Sequence, residues 1–198
     1  MSTKTAPSTA HAPQAVRIIG GRWKRTPLPV PHKPGLRPTP SRVRETLFNW
    51  LGQDLSGWRC CDAFAGSGAL GLEAASRGAS QVSLIEQNAQ LVAQLQRLCT
   101  QLKASGVSVQ RADALAVLPT LSGLDVVFLD PPFEAGPALI ESALRAASAA
   151  IKPEGWVYVE SPSAWTNEAL APMGLTLHKQ GRAGAVHFAL LAKAPALG

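Results

Sequence analysis

The 198-residue sequence predicts a Rossmann-like, doubly wound α/β fold with a mostly parallel, seven-stranded sheet. Beyond residue 57, short apolar segments alternate with helical patterns, which is typical of βαβ units. A glycine-rich turn, Gly66-Ser67-Gly68-Ala69-Leu70-Gly71, joins the first of these strands to the first helix. The last two strands follow one another without a helix, so we expect a C-terminal hairpin that brings an antiparallel strand near one edge of the sheet.

The composition predicts one globular domain preceded by an extension. Hydrophobic residues make up 46% of the sequence, yet no apolar run has the length of a membrane span, so we expect no membrane partner. Residues 1–15 are rich in Ser, Thr, Ala and Pro without an apolar core, which predicts a disordered tail rather than a signal peptide. The three cysteines and four histidines lack metal-ligand spacing, so we expect a reduced, cytoplasmic protein that needs no metal.

Positive charge is concentrated at the start of the chain. Residues 1–44 contain nine Lys and Arg residues and no acidic residue, whereas the remainder contains ten basic and thirteen acidic residues. The whole net charge of +6 therefore comes from the first 44 residues. Such an asymmetry is typical of proteins that bind a polyanion, and we expect nucleic acid. A merely solubilising leader would carry these charges in the tail, where only Lys4 lies.

The basic segment is predicted to form a β-hairpin, a proline-rich loop and a helix. Val16–Ile19 and residues 22–30 are predicted strands on either side of Gly20-Gly21. Thr39-Pro40 provides the cap and first position of a helix from Ser41 to about Leu51. The apolar face of that helix is expected to comprise Val43, Leu47, Trp50 and Leu51.

Residues 16–52 thus form a candidate nucleic-acid-binding extension of a domain at residues 53–198, although a plain edge hairpin is the alternative. Arg42 and Arg44 lie off the apolar face of the helix and are expected to reach phosphate or the ligand region. The expected nucleic-acid contacts are Arg17, Arg22, Trp23, Lys24, Arg25, Arg37, Arg42 and Arg44.

Two carboxylates follow predicted strands at the ligand-binding edge of the sheet. The strand Gln81–Ile85 ends in Glu86, 20 residues after Gly66, where a carboxylate can bind ribose hydroxyls; an NAD site would fit this pattern equally well. A helix capped by Asn88 and a third strand precede Asp113. Asp113 either accepts a hydrogen bond from an adenine amino group or caps the helix that follows, and both interpretations stay open.

Asp130-Pro131-Pro132-Phe133 follows the apolar strand Leu124–Leu129. Two prolines cannot donate ladder hydrogen bonds, so the strand must end there, at the edge where ligands bind in open α/β sheets. A carboxylate beside a proline carbonyl offers acceptors to an exocyclic amine, and an aromatic ring can stack on a base. An ordinary strand-ending turn is the alternative. Glu160-Ser161, after the strand Trp156–Val159, either lines the same site or forms a solvated turn.

With these motifs in view, the chain resembles class I S-adenosylmethionine-dependent methyltransferases, and more narrowly the bacterial family that methylates guanine N2 in 16S ribosomal RNA of the small subunit. The resemblance covers about residues 16–192. The segments that carry it are Arg17-Ile18-Ile19-Gly20-Gly21, Gly35-Leu36-Arg37-Pro38-Thr39, Arg42-Val43-Arg44-Glu45-Thr46-Leu47-Phe48-Asn49-Trp50-Leu51, Phe64-Ala65-Gly66-Ser67-Gly68-Ala69-Leu70-Gly71-Leu72-Glu73-Ala74 and Asp130-Pro131-Pro132-Phe133.

The resemblance implies S-adenosyl-L-methionine as cofactor and 16S rRNA in the small ribosomal subunit as partner. The sequence shows no obvious extra apolar helix, so we expect a monomer. The resemblance also implies catalytic roles for Asp130, Pro131 and Phe133, where the base would be received. The residues that it implies for the cofactor are Asp62, Phe64, Gly66, Gly68, Glu86, Asp113 and Asp130.

Three other functions remain compatible with these motifs. Adenine-N6 methyltransferases of DNA or RNA share the Asp-Pro-Pro-aromatic corner, although the DNA enzymes usually carry a larger target-recognition region. Protein-glutamine methylation uses a related corner that begins with Asn. A non-catalytic RNA-binding assembly protein would keep the fold without turnover, and cofactor binding distinguishes it from the enzymes.

Overall fold

The structure is a computed structural model that describes residues 16–28, 30, 41–132, 134 and 136–194. The extension contributes two short antiparallel strands and a helix: β1 (Val16–Arg17), β2 (Pro27–Leu28) and α1 (Ser41–Trp50). The elements that follow are β3 (Arg59–Asp62), α2 (Ala69–Ser76), β4 (Gln81–Glu86), α3 (Ala89–Gln101), β5 (Val107–Arg111), α4 (Ala114–Val117), β6 (Leu124–Leu129), α5 (Pro137–Ala150), β7 (Ile151–Ser161), α6 (Asn167–Leu170), β8 (Leu175–Ala183) and β9 (Val186–Lys193).

The large sheet has seven strands in the order β5-β4-β3-β6-β7-β9-β8. Strands β3 to β7 are parallel to one another, whereas β9 lies between β7 and β8 and is antiparallel to both. The predicted fold class is therefore confirmed, including the antiparallel strand near one edge. The order reverses at β3, so β4 and β6 diverge from it there, and this switch point is where α/β sheets bind ligands.

Helices cover both faces of the sheet, and β6 shows why. All six of its residues are buried; Val126 and Phe128 belong to one apolar cluster, and Val127 and Leu129 belong to the other. The first cluster contains residues of α1, α2 and α3 together with Leu28 of the hairpin. The second contains residues of α4, α5 and α6. The hairpin thus shares a hydrophobic core with the sheet.

The hairpin is attached to α2 by Glu73, whose side chain is fully buried. Its two carboxylate oxygens accept hydrogen bonds from the backbone N–H groups of Ile19 and Gly20, each at 2.7 Å. The same carboxylate pairs with Arg77 Nε at 2.8 Å and with Arg44 Nη1 at 3.5 Å. The buried charge is therefore compensated on several sides, which is the condition under which it can stabilise a fold.

Two predicted elements have different bounds in the structure. The return strand expected at residues 22–30 is reduced to Pro27–Leu28, because the Arg22 N–H donates to the carbonyl of Ser76 in α2 and not to β1. Strand β7 begins at Ile151 rather than at Trp156, with a register shift against β6 where a turn was expected. The helix α6 carries no periodic signal in the sequence because it spans only four residues.

Candidate active site

A cavity of about 370 Å³ lies at the carboxyl ends of the central strands, a size typical of small-molecule sites. Several expected ligand-binding residues line it, and they come from the ends of three strands. Its walls include Val30, Asp62, Phe64, Gly66, Ile85, Glu86, Asn88, Leu91, Asp130, Pro132 and Leu139.

Glu86, at the end of β4, holds the glycine turn in place. One carboxylate oxygen accepts a hydrogen bond from Gly66 N at 3.0 Å, and the other accepts one from Asn88 N at 2.8 Å. A carboxylate has about four acceptor positions, so capacity remains for hydroxyl groups of a ligand in the cavity.

Asp62, at the end of β3, is the most deeply buried carboxylate of the cavity wall, with 1% exposure. Its Oδ2 accepts a hydrogen bond from Gly71 N at 2.9 Å, whereas its Oδ1 has no hydrogen-bond partner in the described part of the chain. Burial raises the pKa of this carboxyl from 3.8 to about 7, against the opposing effect of the backbone N–H groups of Gly71 and Phe64. A buried acceptor in a cavity wall suits a ligand that brings a donor or a positive charge.

The three motif glycines have different roles. Gly66 lines the cavity, whereas Gly68 and Gly71 allow α2 to pack closely. Gly68 has a φ of 78°, and a Cβ there would lie 2.7 Å from Leu95 of α3. A Cβ on Gly71 would lie 2.2 Å from Leu84 of β4. This division matches the roles of glycines in nucleotide-binding turns.

Asp130, directly after β6, lines both the cavity and a small adjoining depression. The depression measures about 10 Å³, room for roughly one water-sized group, and is lined by Asp130, Pro131, Pro132, Ile140, Glu160, Ser161 and Pro162. Glu160 is 8% exposed and Ser161 is 5% exposed, and both belong to β7, so the solvated-turn interpretation is wrong. Both residues line the depression beside Asp130, and a role in ligand binding stays a prediction. Phe133, the expected stacking residue, lies outside the described residues.

Asp113 caps α4, because its Oδ1 accepts a hydrogen bond from Leu115 N at 2.8 Å. Its neighbours Ala112 and Ala114 line the cavity, and Asp113 itself is exposed beside it. The capping interpretation is therefore confirmed, and a contact with a cofactor stays a prediction.

The turn of the hairpin carries an exposed basic surface. Arg17, Arg22, Lys24, Arg25 and Arg42 are exposed, and Trp23 is half-buried with the Arg22 guanidinium carbon 4.1 Å from its ring centroid. Arg37 lies outside the described residues.

This turn is fixed to the end of α2 that points away from the cavity. Trp23 N donates to Ser76 Oγ at 2.9 Å, and Ser76 is the last residue of the eight-residue α2. At a rise of about 1.5 Å per residue, the turn lies about 10 Å along the helix from the glycine turn. Val30, just after β2, lines the cavity, so the hairpin extends between the two ends of α2.

The expectation that Arg44 contacts nucleic acid is wrong. The side chain is fully buried, and its Nη1 donates to the carbonyl of Arg17 at 2.9 Å while pairing with Glu73. Burial lowers the pKa of Arg44, and Glu73 opposes that shift. The apolar face of α1 includes this arginine because its charge is neutralised inside the core; Trp50, expected on that face, is half-buried and stacks on Phe188.

None of the described helices is both long and apolar enough to cross a membrane. The three cysteines are unpaired, and burial raises the pKa of Cys60 and Cys61.

Comparison with known proteins gives a consistent result over nearly the whole chain. The family model described as conserved hypothetical protein 95 matches residues 16–192. The Escherichia coli protein named ribosomal RNA small subunit methyltransferase D is 41% identical over 182 residues, which cover 88% of each chain. The Haemophilus influenzae protein of the same name is 38% identical over 187 residues, 92% of this chain and 96% of that protein. The solved structure of yhhF from Escherichia coli has a TM-score of 0.78 and 40% identity, and the match covers 91% of this chain and 98% of that one.

Proposed function

This chain belongs to the conserved hypothetical protein 95 family, as do the ribosomal RNA small subunit methyltransferases D, and we propose that it transfers a methyl group from S-adenosyl-L-methionine to the exocyclic N2 of a guanine in 16S rRNA of the small ribosomal subunit. Membership of this family makes the chain a methyltransferase. The names of its relatives support ribosomal RNA as the substrate. The identity of the cofactor and of the methylated atom goes beyond those names and is proposed from the site.

The proposed cofactor and target atom are supported by the position of Asp130, which lines both the ligand cavity and the adjoining depression. A group bound at this residue lies at the boundary between a cofactor in the cavity and a second ligand at the depression. Methyl transfer requires two reactants to meet at such a boundary.

The carboxylates of the cavity match the hydrogen-bond donors and the positive charge of S-adenosylmethionine. Glu86 would accept hydrogen bonds from the ribose hydroxyls, as a carboxylate at this position does in related folds. The buried Asp62 would lie near the positively charged part of the ligand, which its unsatisfied Oδ1 favours. Phe64, Ile85 and Leu91 supply apolar walls for a planar base. When bound, the cofactor supplies a methyl group on a positively charged sulfur.

The protein contributes to the reaction by positioning guanine N2, which is a poor nucleophile. The lone pair of guanine N2 is delocalised into the ring. The Asp130 carboxylate and the Pro131 carbonyl would each accept a hydrogen bond from one of the two N–H groups of this amine. These two bonds would direct the nitrogen lone pair out of the plane of the ring and towards the cavity. Asp130 would also stabilise the positive charge that develops on N2 as it gains a fourth bond, until N2 returns to three bonds by releasing one of its two protons to water or to this carboxylate. The motif residue Phe133 would hold the base by stacking.

The exposed cations of the hairpin would bind the phosphates around the target. Because the turn lies about 10 Å along α2 from the glycine turn, an RNA that contacts both the turn and Asp130 must extend along this side of the protein. Such a footprint favours a folded RNA over a single flexible nucleotide.

The proposal is tested with tritiated S-adenosylmethionine and small ribosomal subunits from cells that lack the enzyme, followed by nucleoside analysis of the digested RNA. We expect label in N2-methylguanosine. Label in N6-methyladenosine would retain the fold and overturn the target atom. Binding of the cofactor without any label in the RNA would reject ribosomal RNA as substrate, and absence of cofactor binding would favour a non-catalytic RNA-binding protein.

A further inference from the structure

We infer that Glu160 selects guanine over other bases by accepting a hydrogen bond from guanine N1–H, beside the N2 amine held by Asp130. The inference rests on the proposed function and deepens it, because it names the group that recognises the rest of the guanine edge. Glu160 is thereby a specificity-determining residue rather than a part of the methyl-transfer step.

The register of two neighbouring strands brings Glu160 next to Asp130. Strands β6 and β7 are parallel, and Leu129 pairs with Val159, so Asp130, the first residue after β6, lies beside Glu160, which is still in β7 and pairs with Phe188 of β9. Neighbouring strands lie about 4.8 Å apart. Both carboxylates line the same depression, together with Pro131.

The Glu160 carboxylate is held in a defined orientation. The hydroxyl of Tyr158 donates to Glu160 Oε1 at 2.9 Å, and the glutamate is only 8% exposed. Burial, reinforced by the charges of Glu160 and Asp130, raises the pKa of Tyr158 well above 10, so its hydroxyl keeps the proton that it donates. A carboxylate accepts more than one hydrogen bond, so the bond from Tyr158 leaves acceptor capacity for a ligand.

A neutral acceptor would be sufficient to satisfy the hydroxyl of Tyr158. A second carboxylate beside Asp130 adds like-charge repulsion and desolvation, both of which are unfavourable. In exchange, a carboxylate gives a ligand donor a stronger acceptor than a neutral group would.

The edge of guanine matches this pair of acceptors. Guanine presents N1–H and the N2 amine side by side, so adjacent acceptor groups face adjacent donors. Adenine presents the N1 lone pair beside its N6 amine, so the acceptor next to the amine would face another acceptor. The depression has room for roughly one water-sized group, so a single polar group at the edge of a base can enter it while the ring stays outside.

The inference is tested with 2-aminopurine in place of the target guanine, in small subunits reconstituted after the modified position has been mapped. This base keeps the reactive amine and lacks the hydrogen on N1. For the unsubstituted protein we expect kcat/KM for guanine to exceed that for 2-aminopurine by about 100-fold. Because a glutamine amide can donate to the bare N1, Glu160→Gln should lower kcat/KM for guanine by about 100-fold and reduce or invert the preference.

The matched control is Glu154→Gln, which removes an exposed carboxylate from the same strand β7 and should leave the preference unchanged. Tyr158→Phe removes the hydroxyl that orients Glu160 and should weaken the preference to a smaller degree. An unsubstituted protein that methylates both bases equally, or a folded Glu160→Gln variant that binds cofactor and keeps the original preference, would overturn the inference. Both results leave N2-methylguanosine as the product, so they refute the inference while the proposed function stands. Absence of N2-methylguanosine would refute both.

Discussion

Asp62, the last residue of β3, and Asp130, which follows the neighbouring strand β6, line the same cavity, yet their environments differ. Asp62 is 1% exposed and bonded to the backbone of α2, whereas Asp130 is partly exposed and lies where the cavity meets the depression. Burial gives Asp62 a raised pKa, while the position of Asp130 suits contact with a substrate. The two residues therefore have separable effects when substituted.

Asp130→Ala is expected to lower kcat by on the order of 100- to 1,000-fold, because it removes an acceptor needed mainly in the transition state. The dissociation constant for S-adenosylmethionine should change by less than about threefold. Single-turnover methylation and isothermal titration calorimetry measure the two quantities. Glu141→Ala, which removes an exposed carboxylate from α5, is the control. A loss of cofactor affinity as large as the loss of turnover would contradict the assignment of Asp130 to the amine.

Asp62→Asn is expected to change how stability depends on pH. Burial raises the pKa of Asp62 to about 7, so the cofactor-free folded protein keeps a proton that the unfolded chain releases above pH 3.8. The contribution of Asp62 to the free energy of unfolding is therefore complete below pH 3.8 and declines as the pH rises to about 7. The variant lacks this decline, so its stability relative to the unsubstituted protein should rise across that window by at most about 4 kcal/mol.

Urea unfolding at several pH values between 4 and 8, without cofactor, measures this difference. A constant difference between the two proteins over the whole range would show that Asp62 does not retain its proton on folding.

The helix α2 connects the cavity with the basic hairpin. It starts at the glycine turn of the cavity, and Glu73, Ser76 and Arg77 in its second half and at its C-terminal end hold the hairpin that carries the exposed cations. The contact is close at Gly21, where a Cβ would lie 1.9 Å from the carbonyl oxygen of Ser76. The orientation of the basic surface is thus set by the same helix that shapes the cavity.

Gly21→Ala is expected to destabilise the docked hairpin more than its backbone conformation alone would predict. Gly21 has a φ of +71°, and Gly184, in the turn between β8 and β9, has a φ of +62° with no atom within 4 Å of a built Cβ. Both alanine variants bear the cost of a left-handed residue, about 1 kcal/mol, but only Gly21→Ala must also displace α2 or the turn. Urea unfolding should give a loss for Gly21→Ala at least about 1 kcal/mol larger than for Gly184→Ala.

Hydrogen exchange adds a local measurement to this comparison. Amide protection at residues 18–28 should fall in Gly21→Ala and stay unchanged in Gly184→Ala. Equal destabilisation and equal protection in the two variants would mean that the hairpin does not dock on α2 in solution.

At the scale of the whole molecule, charge is segregated along the chain but the hydrophobic core is shared. All of the net positive charge arises from residues 1–44, while Leu28 and Val43 of the extension belong to the same apolar cluster as Leu84 and Phe128 of the sheet. The basic surface is therefore fixed to the domain through burial and hydrogen bonds. A fixed cationic surface loses less conformational entropy on binding RNA than a flexible tail.

Arg22→Ala is expected to weaken binding to the small ribosomal subunit and to reduce the slope of log K against log salt concentration by about 1, the effect of one lost phosphate contact. Arg97→Ala in α3 removes one exposed positive charge outside the basic segment and should leave the slope unchanged. Filter binding at salt concentrations between 50 and 200 mM measures both variants. Equal slopes for the two variants would assign the hairpin a structural role only.

The elements that the sequence predicts best are those fixed by local chemistry. Strand β6 has the predicted bounds because a continuous apolar run ends at two prolines that cannot continue a ladder. Asn88 caps α3 as expected, since its side chain accepts from the nearby Gln90 N. The glycine turn and Glu86 line one cavity, as the spacing of the motif predicts, and the structure adds a hydrogen bond between them. Local conformational rules and side-chain periodicity were sufficient for these features and for the fold class.

Contacts between distant segments decided the rest. Arg44 is buried because Glu73, 29 residues further along the chain, neutralises it, and no local pattern reveals that pairing. The hairpin is short because Ser76 takes the backbone donor of Arg22. Glu160 meets Asp130 only because β6 and β7 pair in one register. Sequence by itself determined which chemical groups lie at the ends of the strands. Strand pairing and burial determined which of these groups face one another, because the free energies of pairing and burial depend on neighbours that are remote in the chain.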